Sequence, residues 1–308
     1  MISRRTIRVK VMQTLYTIAT FDTAPAPAVH TSLLKQQFDQ PRRLLVHLLW
    51  LLTEVLRYPE KHAHQKASKH LPSAEDLNIN TKLAGNELLW QILEDKSLLK
   101  QFEQLKPQLG PAQELIKSIY LQLSETEVYR TYIATPSREK KAERKIVEFV
   151  VNDMMLANTA FVSYIEELFA DWDDDGEGVI QLLAVYLHKP GQLNFEQLID
   201  RDKEQFGLEL LRTVLEKQEQ LQSYIIPKLK NWDPERIAQL DMIMMKMGVA
   251  EFLFFETIPP KVTINEYIDL AKEYSTAQSG QFVNGILDGI HKDLVAAGTL
   301  HKVDFRKS

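Results

Sequence analysis

The sequence predicts an all-α protein, and three observations carry that prediction. Leu, Glu, Lys and Gln are frequent, and these side chains lose little rotamer freedom on a helix. Glycine and proline, which interrupt helices, number only 11 and 13 in 308 residues. No segment shows the alternating β-branched pattern, bounded by hairpin turns, that marks strands.

The first helix opens at Arg4, where Ile7, Val11, Leu15 and Ile18 recur at steps that line one side at 3.6 residues per turn. Asp22, Pro25 and Pro27 make Phe21 to Pro27 a linker. Helical periodicity returns at roughly 42–58, 84–106, 111–133 and 137–171, and the polar stretch Tyr58 to Asn80 is expected as a long loop. Pro136-Ser137-Arg138-Glu139 signals the start of the last of these helices, and the segment Asp171 to Gly176 is expected to break it. Val179 to Leu187 begins another helix, which Gly191 separates from the periodic stretch Phe195 to Leu229, with Phe206, Leu210, Leu211 and Val214 on one face.

Asp233-Pro234-Glu235 supplies an N-cap acid, a proline at the first helical position and an acid in the first turn, opening a helix Pro234 to Phe255. Its Ile237, Leu240, Ile243, Met244, Met247 and Phe252 put apolar groups on more than one side, as at the centre of a bundle. Ile258-Pro259-Pro260 ends it. Thr263-Ile264-Asn265-Glu266 opens a short amphipathic helix with Tyr267, Leu270 and Ala271 inward. Ser279 precedes a last helix whose Phe282, Ile286, Ile290 and Leu294 step by four, and the polar tail after Gly298 is expected to be loose.

A chain of this length allows one or two domains. The absence of Cys removes disulfides, thiolate metal sites and cysteine nucleophiles. The segment Met1 to Arg8 lacks the features of a secretory signal, and the most apolar run, Leu44 to Leu56, is too short for a span and carries His47 and Glu54. A cytoplasmic protein without a membrane partner is expected. A formal net charge of -5 argues against non-specific coating of nucleic acid, so an RNA site must be a local basic patch. Asp171, Asp173, Asp175 and Gly176 match half of a calcium loop, but Leu182 stands where its bidentate Glu is needed. His62, His64 and His70 have no Cys or acidic partner at ligand spacing. With no phosphate loop or nucleophile elbow either, no cofactor, metal or enzymatic activity is expected.

The C-terminal third carries a more specific signal. Asn231-Trp232-Asp233-Pro234-Glu235-Arg236-Ile237, Leu240-Asp241 and Gly248-Val249-Ala250-Glu251-Phe252 resemble the core helix of the NusB family. The likeness continues through Ile258 to Lys272 and through Gln281-Phe282-Val283-Asn284-Gly285-Ile286-Leu287-Asp288. Phe206 to Leu229 is similar to the preceding helix, and Arg4-Arg5-Thr6-Ile7-Arg8 with Gln13-Thr14-Leu15-Tyr16 to the family's arginine-rich first helix.

The resemblance implies a NusB-like bundle of two three-helix units, formed here by residues 1–20 and 201–296, with a helical insertion or enlarged region at 21–200 and a tail at 297–308. It implies transcription antitermination: binding of single-stranded RNA, a box-type element of ribosomal RNA leaders, together with the small-subunit ribosomal protein NusE, in a complex that helps RNA polymerase read through. The family's fold also occurs fused to an RNA cytosine methyltransferase, but no Rossmann-type domain follows here and no cysteine is present.

Arg4, Arg5 and Arg8 place three guanidiniums at one helix end, suited to bidentate phosphate contact and to stacking on unpaired bases. Alone, such a cluster reads as a solvated charged face; the resemblance makes it an RNA contact, with Lys10 pointing away into solvent. The resemblance adds Gln281 and Phe282 to the RNA site, where an aromatic at a helix start can stack on a splayed base, although Phe282 also falls in step with the core stripe. Gln281 departs from the family's frequent Lys, and Gln278 from a frequent Asp. Tyr16 and Asp241 match positions that face NusE, whereas Asn284 and Gly285 are expected to serve close helix packing. The competing reading is a helical interaction scaffold that keeps the bundle and has lost RNA binding. The insertion is open to three uses: covering a dimer surface, extending the RNA path through the basic run Arg138 to Lys145, or contacting polymerase.

Overall fold

The computed structural model describes residues 2–23, 25–229 and 236–303. Among them are fifteen α-helices and no strand, as the composition predicts. Among the described residues no single helix is long and apolar enough to cross a membrane. The chain divides into two compact units, Asp39–Leu198 and a second made of Ile2–Phe38 with the chain from Ile199 on.

In the unit Asp39–Leu198 the main element is α2 (Pro27–Ala67), whose first turns belong to the other unit. Between Leu44 and Leu56 it buries residues all round, which defines a central helix rather than a surface one. It continues without interruption through Pro41 and Pro59 and absorbs the first ten residues of the expected loop, because Glu60, Lys61, Gln65 and Lys66 are good helix formers. A further piece of that stretch forms α3 (Ala74–Leu77), held by a capping box between Ser73 and Asp76.

The next three periodic stretches are each cut by a capping residue. Asp95 separates α4 (Glu87–Glu94) from α5 (Lys96–Leu105), accepting from the Ser97 and Leu98 amides and from the Tyr186 hydroxyl at 2.8 Å. Thr126 separates α6 (Leu109–Glu125) from α7 (Glu127–Ala134) and caps the Tyr129 amide. The stretch expected at 137–171 is α8 (Lys140–Phe149), a π-helical segment Val150–Leu156, and α9 (Thr159–Leu168) capped by Asn158. Short polar side chains satisfy the free amides of a helix start, so each of these residues stabilises a break that apolar periodicity alone does not register.

The preceding helix does end before the acidic segment, α9 stopping at Leu168, but the segment itself opens the next helix. α10 (Trp172–His188) carries Asp173, Asp174 and Asp175 in its first turn, where the helix dipole favours negative charge. Gly176 is buried beneath Trp172, whose ring would stand 3.2 Å from an added Cβ. These acids therefore belong to a helix and not to a cation-binding loop.

The second unit contains α1 (Arg4–Ala19), the start of α2, α11 (Arg201–Glu216), α12 (Gln218–Ile225), α13 (Gln239–Phe254), α14 (Pro260–Tyr274) and α15 (Ser279–Ala296). The expected continuous stretch Phe195 to Leu229 is broken at Lys217 and bounded by single 3-10 turns. The predicted cap Asp233-Pro234-Glu235 lies outside the described residues; the α-helix itself begins at Gln239, after an extended Ala238. α13 buries Ile243, Met244, Met245, Met247, Val249, Ala250 and Phe252 and packs against α1, α11, α12, α14 and α15, which makes it the axis of this unit. α14 begins at Pro260 rather than Thr263, since proline fits the first helical turn.

Close helix approach is achieved at glycines other than the one expected. A Cβ at Gly207 would lie 2.6 Å from Phe38 Cζ and 2.8 Å from Ile7 Cγ2, and one at Gly248 2.9 Å from Leu287. Gly285 has open space around its Cβ direction and Asn284 is exposed. Both face away from the packed stripe Val283, Ile286, Leu287, Ile290 and Leu294.

Candidate nucleic-acid interface

Ser3 caps α1 by accepting from the Thr6 amide, which puts Arg4 and Arg5 in the first turn and Arg8 one turn on. The three guanidiniums do not converge on one exposed face. α1 is buried without interruption from Ile7 to Met12, so Arg8 and Lys10, 2 % and 1 % exposed, turn inward. The expectations of Arg8 as an exposed RNA contact and Lys10 as a solvated group are corrected accordingly: neighbours on several sides leave this helix no polar face there.

Arg8 forms a fork with Glu251 of α13, Nε donating to Oε1 at 2.7 Å and Nη2 to Oε2 at 3.1 Å. The Thr263 and Tyr267 hydroxyls donate to the same carboxylate at 2.9 and 2.8 Å, and Glu266 lies 3.3 Å from Nη1. Burial works against the guanidinium's charge, but Glu251, with smaller help from Tyr267 and Glu266, outweighs it and holds Arg8 well above its ordinary value. Burial, followed by the Glu251 charge, pushes the Tyr267 hydroxyl far up, so it remains a donor. Arg4 and Arg8 lie 5.6 and 5.4 Å from the Phe206 ring centre, so α1 sits on that ring by two cations one turn apart.

Arg4 and Arg5 remain at the surface. Arg5 reaches Glu273, in the last turn of α14, with Nη2 2.6 Å from Oε2. That contact brings the arginine end of α1 to the turn that leads into α15, where Gln281 is exposed and Phe282 half-buried. Phe282 thus stands at the edge of the core stripe, which Val283 begins.

The start of α15 is tied down from beneath. Ser279, buried, donates to Asp241 Oδ2 at 2.8 Å and shares its hydroxyl with Thr276 at 2.9 Å and Ser275 at 3.0 Å. Asp241, expected at a partner surface, is only 5 % exposed, and its other oxygen, Oδ1, has no hydrogen-bond partner among the described residues. Tyr16 is 42 % exposed on α1. Of this pair, only Tyr16 is presented outward.

Sequence reasoning missed Glu251, Lys272 and Glu273. A signal for the first existed: a carboxylate inside a helix as apolar as α13 requires a buried cation. Arg8 is that cation, and its spacing to Met12 and Leu15 already put it on a buried face. Glu273 had no local signal, since it is an exposed acid on an amphipathic helix.

Charge is unevenly divided. Asp39–Leu198 holds 18 Lys and Arg against 24 Asp and Glu, and the rest of the chain, which contains α1, 19 against 18, so the excess acidity belongs to the unit without the arginine-rich helix. The basic run Arg138 to Lys145, which leads into α8, is partly spent: Arg138 donates to the Gly85 and Lys82 carbonyls and pairs with Glu143, and Arg144 binds His188. Lys140, Lys141 and Lys145 stay exposed. His62 lies on α2 between Tyr58 and Tyr120, and no group of three or more His, Asp or Glu among the described residues is placed to hold a metal ion.

Comparison with known proteins adds a family profile and close sequence relatives. The profile described as the NusB family matches residues 163–292, beginning in α9. Proteins named transcription antitermination protein NusB are similar over about a third of this chain. That of Chloroherpeton thalassium is 38% identical over 97 residues, 46% of its length. That of Methylacidiphilum infernorum is 41% identical over 100 residues, 69% of its length, and that of Salinibacter ruber 41% over 103 residues, 64% of its length. The chain therefore spans between about half and two thirds of these relatives. No solved structure matches it significantly.

Proposed function

The chain belongs to the NusB family, and on that footing we propose that it is a non-catalytic RNA-binding transcription antitermination factor of the cytoplasm. In this reading it grips a short single-stranded element of ribosomal RNA leader transcripts through Arg4, Arg5, Gln281 and Phe282. Arg8 is assigned a different task, holding α1 against α13 so that the first turn is presented. NusE binds beside the RNA with Tyr16 in its interface, Asp241 supports the start of α15 from within, and the complex acts on RNA polymerase. The helices within 1–20 and 201–296 form the family's bundle in this reading, and 21–200 is an inserted or enlarged region whose last part, from residue 163, already falls within the family profile.

The observation that supports this most is the contact of Arg5 with Glu273, which brings the arginine end of α1 to the end of α14, the helix that precedes Gln281 and Phe282. A second reading, an interaction scaffold without RNA binding, draws on the same contact, because an internal carboxylate already occupies Arg5. Fluorescence anisotropy of a leader-type single-stranded RNA separates them. Wild-type protein is expected to bind in a salt-sensitive manner, more tightly with NusE, and Arg4→Ala/Arg5→Ala to lose most of that binding. Equal binding by both proteins, or none with NusE present, overturns the RNA reading.

A further inference from the structure

Resting on that RNA-binding reading, we propose that Glu273 is an internal substitute for RNA phosphate on Arg5, displaced when RNA binds, and that Lys272 is the second cation of the same phosphate subsite. A guanidinium offers a planar fork of N–H donors that fits carboxylate and phosphate alike. Glu273 therefore satisfies Arg5 with the chemistry that an RNA backbone would supply. Both side chains are well exposed, 38% and 52%, and exposed pairs of this kind hold weakly, so this one can open. The Arg8–Glu251 pair, buried and bidentate, cannot exchange in the same way.

Lys272 precedes Glu273 on α14 and reaches in another direction. A Cβ on Gly280 would lie 2.7 Å from Lys272 Cγ and 3.3 Å from Cε, so the lysine stem crosses α15 at Gly280, directly before Gln281. Its side chain is 61% exposed, and its ammonium stands 3.7 Å from Asp269, too far for a hydrogen bond. Consecutive residues of α14 thus touch both segments of the corner: Glu273 meets Arg5 of α1, and Lys272 lies over the start of α15. RNA binding becomes an exchange, in which a phosphate takes the place of the Glu273 carboxylate and gains Lys272. A lysine reaching across from α14 also provides a cation beside Gln281, which itself carries no charge.

The test measures anisotropy of a labelled leader-type single-stranded RNA across a salt series. It uses the full chain as wild type, Glu273→Gln, Lys272→Met, and Lys292→Met as a lysine control elsewhere on α15. Glu273→Gln is expected to tighten binding up to about fivefold, the span of an exposed ion pair. Lys272→Met is expected to weaken it and to lower the slope of log K against log salt by about 0.7, one contact to a single strand. Lys292→Met is expected to match wild type. If Glu273→Gln or Lys272→Met binds as wild type with an unchanged slope, while Arg4→Ala/Arg5→Ala still loses binding, that residue's role is overturned and the RNA reading stands. If wild type does not bind RNA with or without NusE, the RNA reading itself falls.

Discussion

Arg8 and Glu251, 243 positions apart in the chain, form a two-point ion pair that is almost wholly withdrawn from solvent. The pair fastens α1 to α13, and its carboxylate also gathers Thr263 and Tyr267 of α14, so three helices meet at one charged knot. Each oxygen of the Glu251 carboxylate thereby accepts two hydrogen bonds, and such satisfaction is the condition under which buried charges are tolerated.

Breaking one side of this pair leaves an uncompensated buried charge. Arg8→Met or Glu251→Leu is expected to cost about 3–5 kcal/mol, whereas the double variant, which removes both charges, recovers much of the loss. Urea unfolding of the four proteins makes the comparison; single variants within about 0.5 kcal/mol of wild type would show that the pair does not hold the helices together.

Glycine substitutions are expected to separate by position. Gly207→Ala drives a methyl into Phe38 and Ile7 and should destabilise by about 1–3 kcal/mol. Gly285→Ala, on an exposed helical position with open space, should stabilise by up to about 1 kcal/mol. Thermal melting of both variants checks the ordering, and a stabilised Gly207→Ala would mean that α11 does not approach that closely.

His47 lies among Trp50, Tyr164 and Phe169, with ring centres 5.7, 6.2 and 5.5 Å away, and burial lowers its pKa to about 4. The unfolded chain keeps a histidine near its ordinary 6.5. Above pH 6.5 the imidazole is neutral in both states and its contribution is complete. As the pH falls from 6.5 to 4 the unfolded chain takes up a proton that the folded one refuses, and stability drops, by an amount on the order of 2–3 kcal/mol. In His47→Phe that part of the acid slope should be absent; an identical slope in the variant would assign the loss to other groups.

Ser279→Ala removes the donor to Asp241, whose other oxygen is already unpartnered. A buried carboxylate so deprived is expected to cost about 1–3 kcal/mol. Amide hydrogen exchange should quicken over the first turn of α15 before it quickens elsewhere in that helix. Uniform protection would place the anchor of this corner at another contact.

Much of the second unit was legible in the sequence because its helices are amphipathic at 3.6 residues per turn. Ile7, Val11 and Leu15 of α1 and Tyr267, Leu270 and Ala271 of α14 are buried as their spacing predicts, as are Ile286, Ile290 and Leu294 of α15. The candidate corner was legible only as two separate segments, Arg4 to Arg8 and Gln281 to Phe282, read from family likeness. Helix breaks were poorly legible wherever one capping residue interrupts a continuous apolar rhythm, as at Asp95, Thr126 and Asn158.

By itself the sequence determined the helical class, the buried faces and the family, since these follow from local propensity, periodicity and motif. Tertiary structure alone decided which charges are available. Arg8 and Lys10 share a helix with Arg4 and Arg5, yet the first two are withdrawn and the others exposed, because α11 and α13 cover one stretch of α1 and leave its first turn open. The partner of each cation is likewise a distant residue, Glu251 for Arg8 and Glu273 for Arg5. Electrostatic pairing depends on separation in space and on the solvent excluded around it, and neither quantity is written in the spacing of residues along one helix.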